Sequence, residues 1–370
     1  MKVAIVADFL LKLGGAERVV QSFLEMYPDA DIYTILYDEA KVGSVFPKEK
    51  VTESKLAAWP KFLRKRYKYF FPLMPGFIEG FDLSDYDLVI SSSSAYSHGV
   101  ITSLGTQHIV YCHSPMRYAW DYAHKYLEEQ NLNFLNRGIV KYFLKQIREW
   151  DFLASKRPDV YIGNSKHVKK RIEKYYRRDA EVVYPPVNVS RFKPQKYHGD
   201  YFLIVSTLTP YKKIDQAIQL FNKVNRKLVI IGDGPARSSL EAIAGPNIDF
   251  LGFVSDSEVT EYMQNCQAFV FPGEEDFGIT PVEAMACGKP VLAYRKGGLT
   301  ESVIEGETGE FFDEQDLDSM EDALGRLILN YKFYDHKSIR KRAEEFSEER
   351  FKKEIEKIVE KTSQRHLKDV

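Results

Sequence analysis

Two parallel, doubly wound α/β domains are what this sequence predicts, and three observations predict them. A chain of 370 residues is too long for one ordinary core, because domains usually hold roughly 100 to 200 residues. Short β-branched runs alternate with helical patterns through both halves, and continuous apolar strands of this kind belong to sheets buried on both faces. Between the halves lies YPPVNVSRFKPQKYHGD, where Pro185, Pro186, Pro194 and Gly199 interrupt both patterns as a linker does.

Taken in order, the first half supplies the strands KVAIVAD, DIYTIL, DLVISS, HIVYCH, DVYIGNS and AEVVYP. The N-terminal stretch is read as a strand and not as a signal peptide, since Asp8 and Lys12 break its apolar run and no small-residue cleavage site follows. The second half repeats the rhythm with YFLIVS, KLVIIG, NIDFLG, AFVF and PVLAY. From Ser347 onward, Phe351, Ile355, Ile358 and Val359 recur at helical spacing in an otherwise charged stretch, which predicts an amphipathic helix packing back on the first domain. The expected boundaries are residues 1–195, 196–346 and this helix over 347–370. Open α/β sheets bind ligands at the carboxyl ends of their strands, so the function is expected there, in a cleft between facing sheets.

Composition narrows the function classes. The chain is 44% hydrophobic and 28% charged, and charges interrupt its apolar runs well before the ~20 residues that a membrane span needs. Its formal net charge of -1 argues against a nucleic-acid partner, for which a strongly basic domain is the footprint. Cys112, Cys266 and Cys287 share no metal-type spacing, so neither a disulfide framework nor a metal site is indicated, and a reducing cytoplasm is the expected location.

The most informative stretch is AFVFPGEEDFGITPVEAMACGKPVLAY, in which a strand is followed by a polar loop and a helix entry. Thr280, Pro281 and Glu283 fit an N-cap, a proline at the first helical position and a capping-box glutamate. Equally, the backbone N–H groups of Phe277, Gly278, Ile279 and Thr280 lie at a helix N-terminus, where phosphate or sugar oxygens are received, with Glu275 and Glu283 accepting hydroxyl hydrogens. Gly14 and Gly15 follow the first strand and open a helix with an apolar stripe, a turn that admits phosphate or sugar closely but that strand-to-helix geometry also demands. Lys212 follows a strand of the second half and reads either as a point charge for a diphosphate or as an ordinary solvated lysine. His113 ends the strand HIVYCH, placed to hydrogen-bond a hydroxyl or to serve the fold. Gly232 and Gly234 form a strand-end turn, and Ser165 is best placed as an N-cap for the helix that follows it.

These segments, together with YCHSPMRYAWD, GNSKHVKKRI, VVYPPVNVSRF, STLTPYKKID, IGDGP, NIDFLGFVSD and GGLTESV, resemble the retaining glycosyltransferases of family 4 along nearly the whole chain and in order. The resemblance implies the GT-B fold, two Rossmann-like doubly wound parallel-sheet domains facing a central cleft, and a retaining, metal-independent sugar transfer with no cofactor. By the same resemblance Glu275 holds the donor sugar, Glu283 the ribose, Lys212 the diphosphate and the Gly14–Gly15 loop donor phosphate and acceptor. His113 contacts donor sugar or acceptor, and Gly232, Gly234 and Val254 lie near the nucleoside, where Phe253 either flanks the base or packs in the core. HSPMRYAWD and EDFGITPVEA are similar to mannosyltransferases that use GDP-mannose in bacterial surface polysaccharide synthesis; UDP-sugars are the alternative donors. The pattern departs at Thr207, where an arginine is common, so Arg295, Lys296 or the helix N-terminus near Thr280 must complete charge neutralisation.

Two rivals are disfavoured. A nucleotide-dependent dehydrogenase or epimerase needs a Gly-x-Gly-x-x-Gly turn that KLGGAERVV lacks, and an exported two-lobed sugar-binding protein has no use for the glutamate pair. The acceptor side is marked by residues 55–78, which hold no acidic residue while Lys55, Lys61, Arg64, Lys65, Arg66 and Lys68 alternate with Trp59, Phe62, Leu63, Tyr67, Tyr69, Phe70 and Phe71. Such a mixture fits an anionic membrane surface, and with it a lipid-linked saccharide and a peripheral position on the inner face of the cytoplasmic membrane. Aromatics packed beneath the first domain, or stacked on a glycan, are the alternatives.

Overall fold

The structure, a computed structural model, describes residues 1–129, 134–195 and 199–369, and the chain divides into two compact units. In the first, seven parallel strands run β1 (Val3–Ala7), β2 (Asp31–Thr34), β3 (Val51–Glu53), β4 (Leu88–Ser93), β5 (Gln107–Cys112), β6 (Val160–Gly163) and β7 (Glu181–Val182), in the spatial order β3-β2-β1-β4-β5-β6-β7. In the second, β8 (Tyr201–Val205), β9 (Lys227–Ile231), β10 (Ile248–Gly252), β11 (Phe269–Phe271), β12 (Val291–Tyr294) and β13 (Gly309–Phe312) lie in the order β10-β9-β8-β11-β12-β13. All described pairings between these strands are parallel. Each sheet winds outward in both directions from one pair of neighbours, β1 with β4 and β8 with β11. At such a switch point the two following loops diverge to opposite faces and leave a crevice, which is where open α/β sheets hold ligands.

Burial explains why the strands were legible. Every residue of β1, β4 and β5 is buried, so uninterrupted apolar runs form there, and the serines that close β4 find partners inside. Two strands were not foreseen. β3 has only three residues, and β13 carries Glu310, whose buried carboxylate accepts from Tyr334 Oη at 2.9 Å and from Arg326 Nε at 3.2 Å.

The seam between the units lies at Tyr184/Pro185 and not near residue 195. The proline-rich stretch is part of the second unit because that unit satisfies its backbone: Val187 N–H donates to the Phe346 carbonyl at 2.9 Å, and Arg340 donates to the carbonyls of Phe192 and Val189. The chain returns at the other end. Residues 352–369 belong to the first unit, so the seam there follows Phe351 and not Phe346. The helix Glu348–Asp369 buries Ile355 and Val359, and Lys352 and Lys361 pair with Glu25 at 2.7 Å and Glu181 at 2.8 Å. Ser165 caps the helix Lys166–Tyr176, accepting from Val168 N–H at 3.0 Å. The three cysteines are buried free thiols.

Candidate active site

The switch point of the second sheet brings together two residues that lie far apart in sequence. β8 leads through Leu208 and Thr209 into a single 3-10 turn, Pro210–Lys212, and β11 leads into the loop 272–278. Because β8 and β11 are neighbours, the two loops meet, and the Lys212 ammonium donates to Glu275 Oε1. Both side chains are largely shielded, and the ammonium also sits 5.5 Å from the Phe271 ring centre and 5.3 Å from that of Tyr211. The contact depends on Gly273: a Cβ there would lie 3.0 Å from both Cα and the carbonyl oxygen of Lys212.

On its other side the same loop is held by Gly297 and Gly298. Gly298 N–H donates to the Glu275 carbonyl at 2.8 Å, and Gly297 takes a φ of 67° with its missing Cβ only 2.1 Å from that carbonyl oxygen. No side chain fits between the chains at this point. A further strut comes from Gln315, which donates to the Pro272 carbonyl at 3.1 Å, while Gln216 donates to the Gln315 carbonyl at 2.7 Å.

The helix after the loop departs from the expected capping box. It runs Ile279–Ala286 with Gly278 as N-cap at φ 86°, so Pro281 stands third in the helix and Glu283 fifth, beyond the position where a capping-box carboxylate folds back. Local Thr-Pro-x-Glu chemistry loses here to tertiary packing, since only a glycine leaves room for Leu299, whose Cδ2 would be 2.9 Å from a Cβ at 278. Glu283 is half-buried. The Phe277 side chain is buried 5.5 Å from the Phe346 ring, so a ligand at this turn meets its backbone and not its ring.

Around the same edge, Gly232 at φ 128° and Gly234 press against the loop after β8: their missing Cβ atoms would fall 1.9 Å from the Ser206 oxygen and 2.3 Å from the Leu208 oxygen. Leu208 N–H donates to the Asp233 carbonyl and Ala236 N–H to the Leu208 carbonyl, both at 3.0 Å. Val254, past β10, is half-buried, and Phe253 is 85% exposed, which removes core packing as its explanation. Of the cations considered as replacements at Thr207, Arg295 is already engaged, with Asp313 and Glu305 both at 2.6 Å. Lys296 is exposed, 5.3 Å from the Tyr294 ring.

The switch point of the first sheet is organised around a residue that sequence reasoning passed over. Asp8 follows β1 and receives four backbone N–H groups from the loop after β4: Ser94 at 2.6 Å, Ala95 at 2.9 Å, Tyr96 at 2.8 Å and Ser97 at 2.6 Å. Burial raises its pKa, with these hydrogen bonds opposing. Beside it lies a pocket of ≈ 190 Å³ lined by Asp8, Glu17, Ser92, Ser94, Ala95 and apolar neighbours from β1 and the helix Gly15–Met26. Gly14 is the N-cap of the helix Gly15–Met26, but its N–H donates to Glu17 Oε2 at 2.9 Å, and a Cβ at Gly14 would lie 2.9 Å from that oxygen. The turn expected to receive an anion therefore holds the chain's own carboxylate. His113 follows β5, with Nε2 2.8 Å from Ser92 Oγ; burial lowers its pKa to about 4, so it is neutral at pH 7. Among the described residues no group of three His, Cys, Asp or Glu is placed to hold a metal ion.

The architecture has solved counterparts. HepE of Anabaena, in a crystal with UDP-glucose, matches with a TM-score of 0.70 over 98% of this chain and 100% of its own at 16% identity. Sucrose-phosphate synthase of Thermosynechococcus elongatus matches with 0.74 over 98% and 99%, also at 16% identity. Two parallel sheets of this kind define the GT-B glycosyltransferases. Within that class, residues 13–191 match the model of Glycosyltransferase Family 4 and residues 188–347 that of Glycosyl transferases group 1, and the chain belongs to this group of glycosyltransferases. An uncharacterized glycosyltransferase of Methanocaldococcus jannaschii is 27% identical over 94% of this chain and 93% of its own. A GDP-mannose-dependent alpha-(1-6)-phosphatidylinositol monomannoside mannosyltransferase of Mycolicibacterium smegmatis is 28% identical over 46% of this chain, which spans about half of that relative, 53%.

Proposed function

We propose that this glycosyltransferase moves mannose from GDP-mannose to a glycan or lipid-linked saccharide, with retention of configuration and with neither a resident metal nor a cofactor. The observation that carries the reading is the meeting of Lys212 and Glu275 at the switch point of the second sheet. The difficult step is departure of the nucleoside diphosphate. A fixed ammonium in a shielded crevice stabilises the charge that develops on it, and the N–H groups at the start of the helix Ile279–Ala286 add partial positive charge. In the unliganded chain the Lys212 ammonium rests on Glu275. Donor binding exchanges that partner for phosphate, which releases the carboxylate to accept sugar hydroxyls. Glu283, fifth in that helix and half-buried, is assigned to the ribose. Neutral His113 offers the acceptor or sugar a hydrogen bond without a charge.

A panel of nucleotide sugars tests this directly. GDP-mannose is expected to be hydrolysed or transferred faster than UDP-glucose and other UDP-sugars, with activity kept in EDTA. Lys212→Ala and Glu275→Ala are each expected to lose ~10²-fold or more in turnover while melting within a few degrees of the parent. Near-parental turnover in both would remove the site assignment. A UDP-sugar preference would shift the donor alone, and a loss in EDTA restored by Mg²⁺ or Mn²⁺ would overturn the metal-free reading.

A further inference from the structure

The first unit carries a surface that neither its sheet nor its pocket explains. Within residues 55–78 the aromatics divide. Trp59 packs edge-on to Phe70 and Phe77 with ring centres 5.2 and 5.8 Å apart, Tyr67 packs on Phe9 at 5.0 Å, and these rings lie against the core of the first unit. Phe62, Tyr69 and Leu73 do the opposite and stand 64%, 79% and 48% exposed. A second segment, distant in sequence, adjoins them. Phe71 meets Phe143 of the helix Phe134–Ala154 at 6.4 Å, and Phe143 meets Tyr142 at 5.5 Å. Tyr142 and Ile139 are 60% and 54% exposed. Residues 134–148, like 55–78, contain no acidic side chain. Among the described residues none of Lys61, Lys65, Arg66, Lys68, Arg137 and Lys141 is held in an ion pair, although the chain as a whole is close to neutral.

We infer that residues 61–73 and the exposed side of the helix Phe134–Ala154 form one composite docking surface for an anionic lipid bilayer. The inner aromatics anchor the segment to the unit. The outer ones, with Leu73 and Ile139, enter the headgroup boundary while the unpaired cations meet lipid phosphates. A nucleic acid would use the cations but gives exposed leucine and isoleucine nothing to bind. The inference deepens the acceptor half of the proposed function, and rests on it only in taking the acceptor as lipid-linked.

Sedimentation with vesicles tests it without donor or turnover, so its failure is separable from that of sugar transfer. The full chain is expected to pellet with phosphatidylcholine–phosphatidylglycerol vesicles at low salt, to stay in solution with pure phosphatidylcholine, and to be released at high salt. Each cation near an anionic surface is worth about fivefold in partitioning. Replacing Lys61, Lys65, Arg66 and Lys68 by Ser together is expected to weaken binding at least ~100-fold, and Arg137→Ser with Lys141→Ser at least ~10-fold, with unchanged melting and donor hydrolysis. Ile139→Ser with Tyr142→Ser is expected to weaken binding while leaving its salt dependence in place. A parent that remains in the supernatant, or that binds neutral vesicles equally, overturns the inference. So does displacement from vesicles by RNA at equal charge concentration, and binding that the helix variants leave untouched overturns its composite nature.

Discussion

Ionisable side chains of the first unit respond to pH through the same physical cause, desolvation, yet in opposite directions. His98, His108 and His113 are held neutral by desolvation, which brings their pKa values down to about 4, about 3 and about 4. Asp151, buried beside His98 and accepting from Trp120 at 2.7 Å and Tyr176 at 3.1 Å, is raised by desolvation to about 7. When pH falls below the ordinary histidine range, the unfolded chain takes up protons that the folded histidines refuse, so stability is lost, by about 2 kcal/mol for each histidine at pH 5. Asp151 works against this: folded, it keeps its proton up to about pH 7 while the unfolded chain gives it up near 3.8, so its share of stability is lost as pH rises from about 4 to about 7. Three histidines outweigh Asp151 and Asp8, whose burial also raises its pKa, so the melting temperature is expected to fall between pH 6.5 and 4.5, measurable by a melt series. Asp151→Asn removes the opposing contribution and is expected to steepen the fall between pH 6.5 and 4.5. A melting temperature that rises steadily towards pH 4.5 would refute the assignment of neutral histidines. The strand HIVYCH showed where His108 and His113 sit, but not their titration, because the desolvating neighbours come from other strands.

At the scale of elements, glycines decide how closely the loops of the second site approach. Gly273→Ala places a methyl group against the Lys212 backbone, so the two loops must part by a few tenths of an ångström. Turnover is expected to fall ~10-fold or more, because small misplacements of charge-stabilising groups are costly, while the melting temperature changes by only a few degrees. Gly76→Ala, with nothing within 4 Å of its added Cβ, serves as the control and is expected to match the parent in both. Equal loss of activity and stability in Gly273→Ala would mean that the loop contact serves the fold alone. The glutamate spacing and Lys212 could be read from sequence because strand, loop and helix follow one another locally. The true start of the helix at Ile279 could not, since it depends on Leu299 filling the space at Gly278. Nor could Asp8 be recognised, as its four donors lie in the loop after β4 and only the pairing of β1 with β4 delivers them.

For the molecule as a whole, the two-sheet architecture was legible from alternating apolar runs, while the seam was not, because Pro185 to Gln195 are assigned by hydrogen bonds to residues as remote as Arg340 and Phe346. The helix that returns to the first unit sets that unit's stability. Ile355→Ala, at 1% exposure, is expected to cost roughly 2 to 5 kcal/mol. Calorimetry is expected to show the first unit's transition move down while donor binding by the second unit keeps its affinity. A single transition shifted together with donor affinity would show instead that the units do not melt separately.

The same returning helix has a consequence for biosynthesis. Domains generally fold as units, the earliest made first as the chain leaves the ribosome. Here residues 352–369 emerge after the second unit, yet Lys352, Lys361 and Ser363 find Glu25, Glu181 and Gln107 of the first. The unit begun first is therefore finished last. During that interval the apolar surface that will receive Ile355 and Val359 has only a chaperone or solvent to cover it.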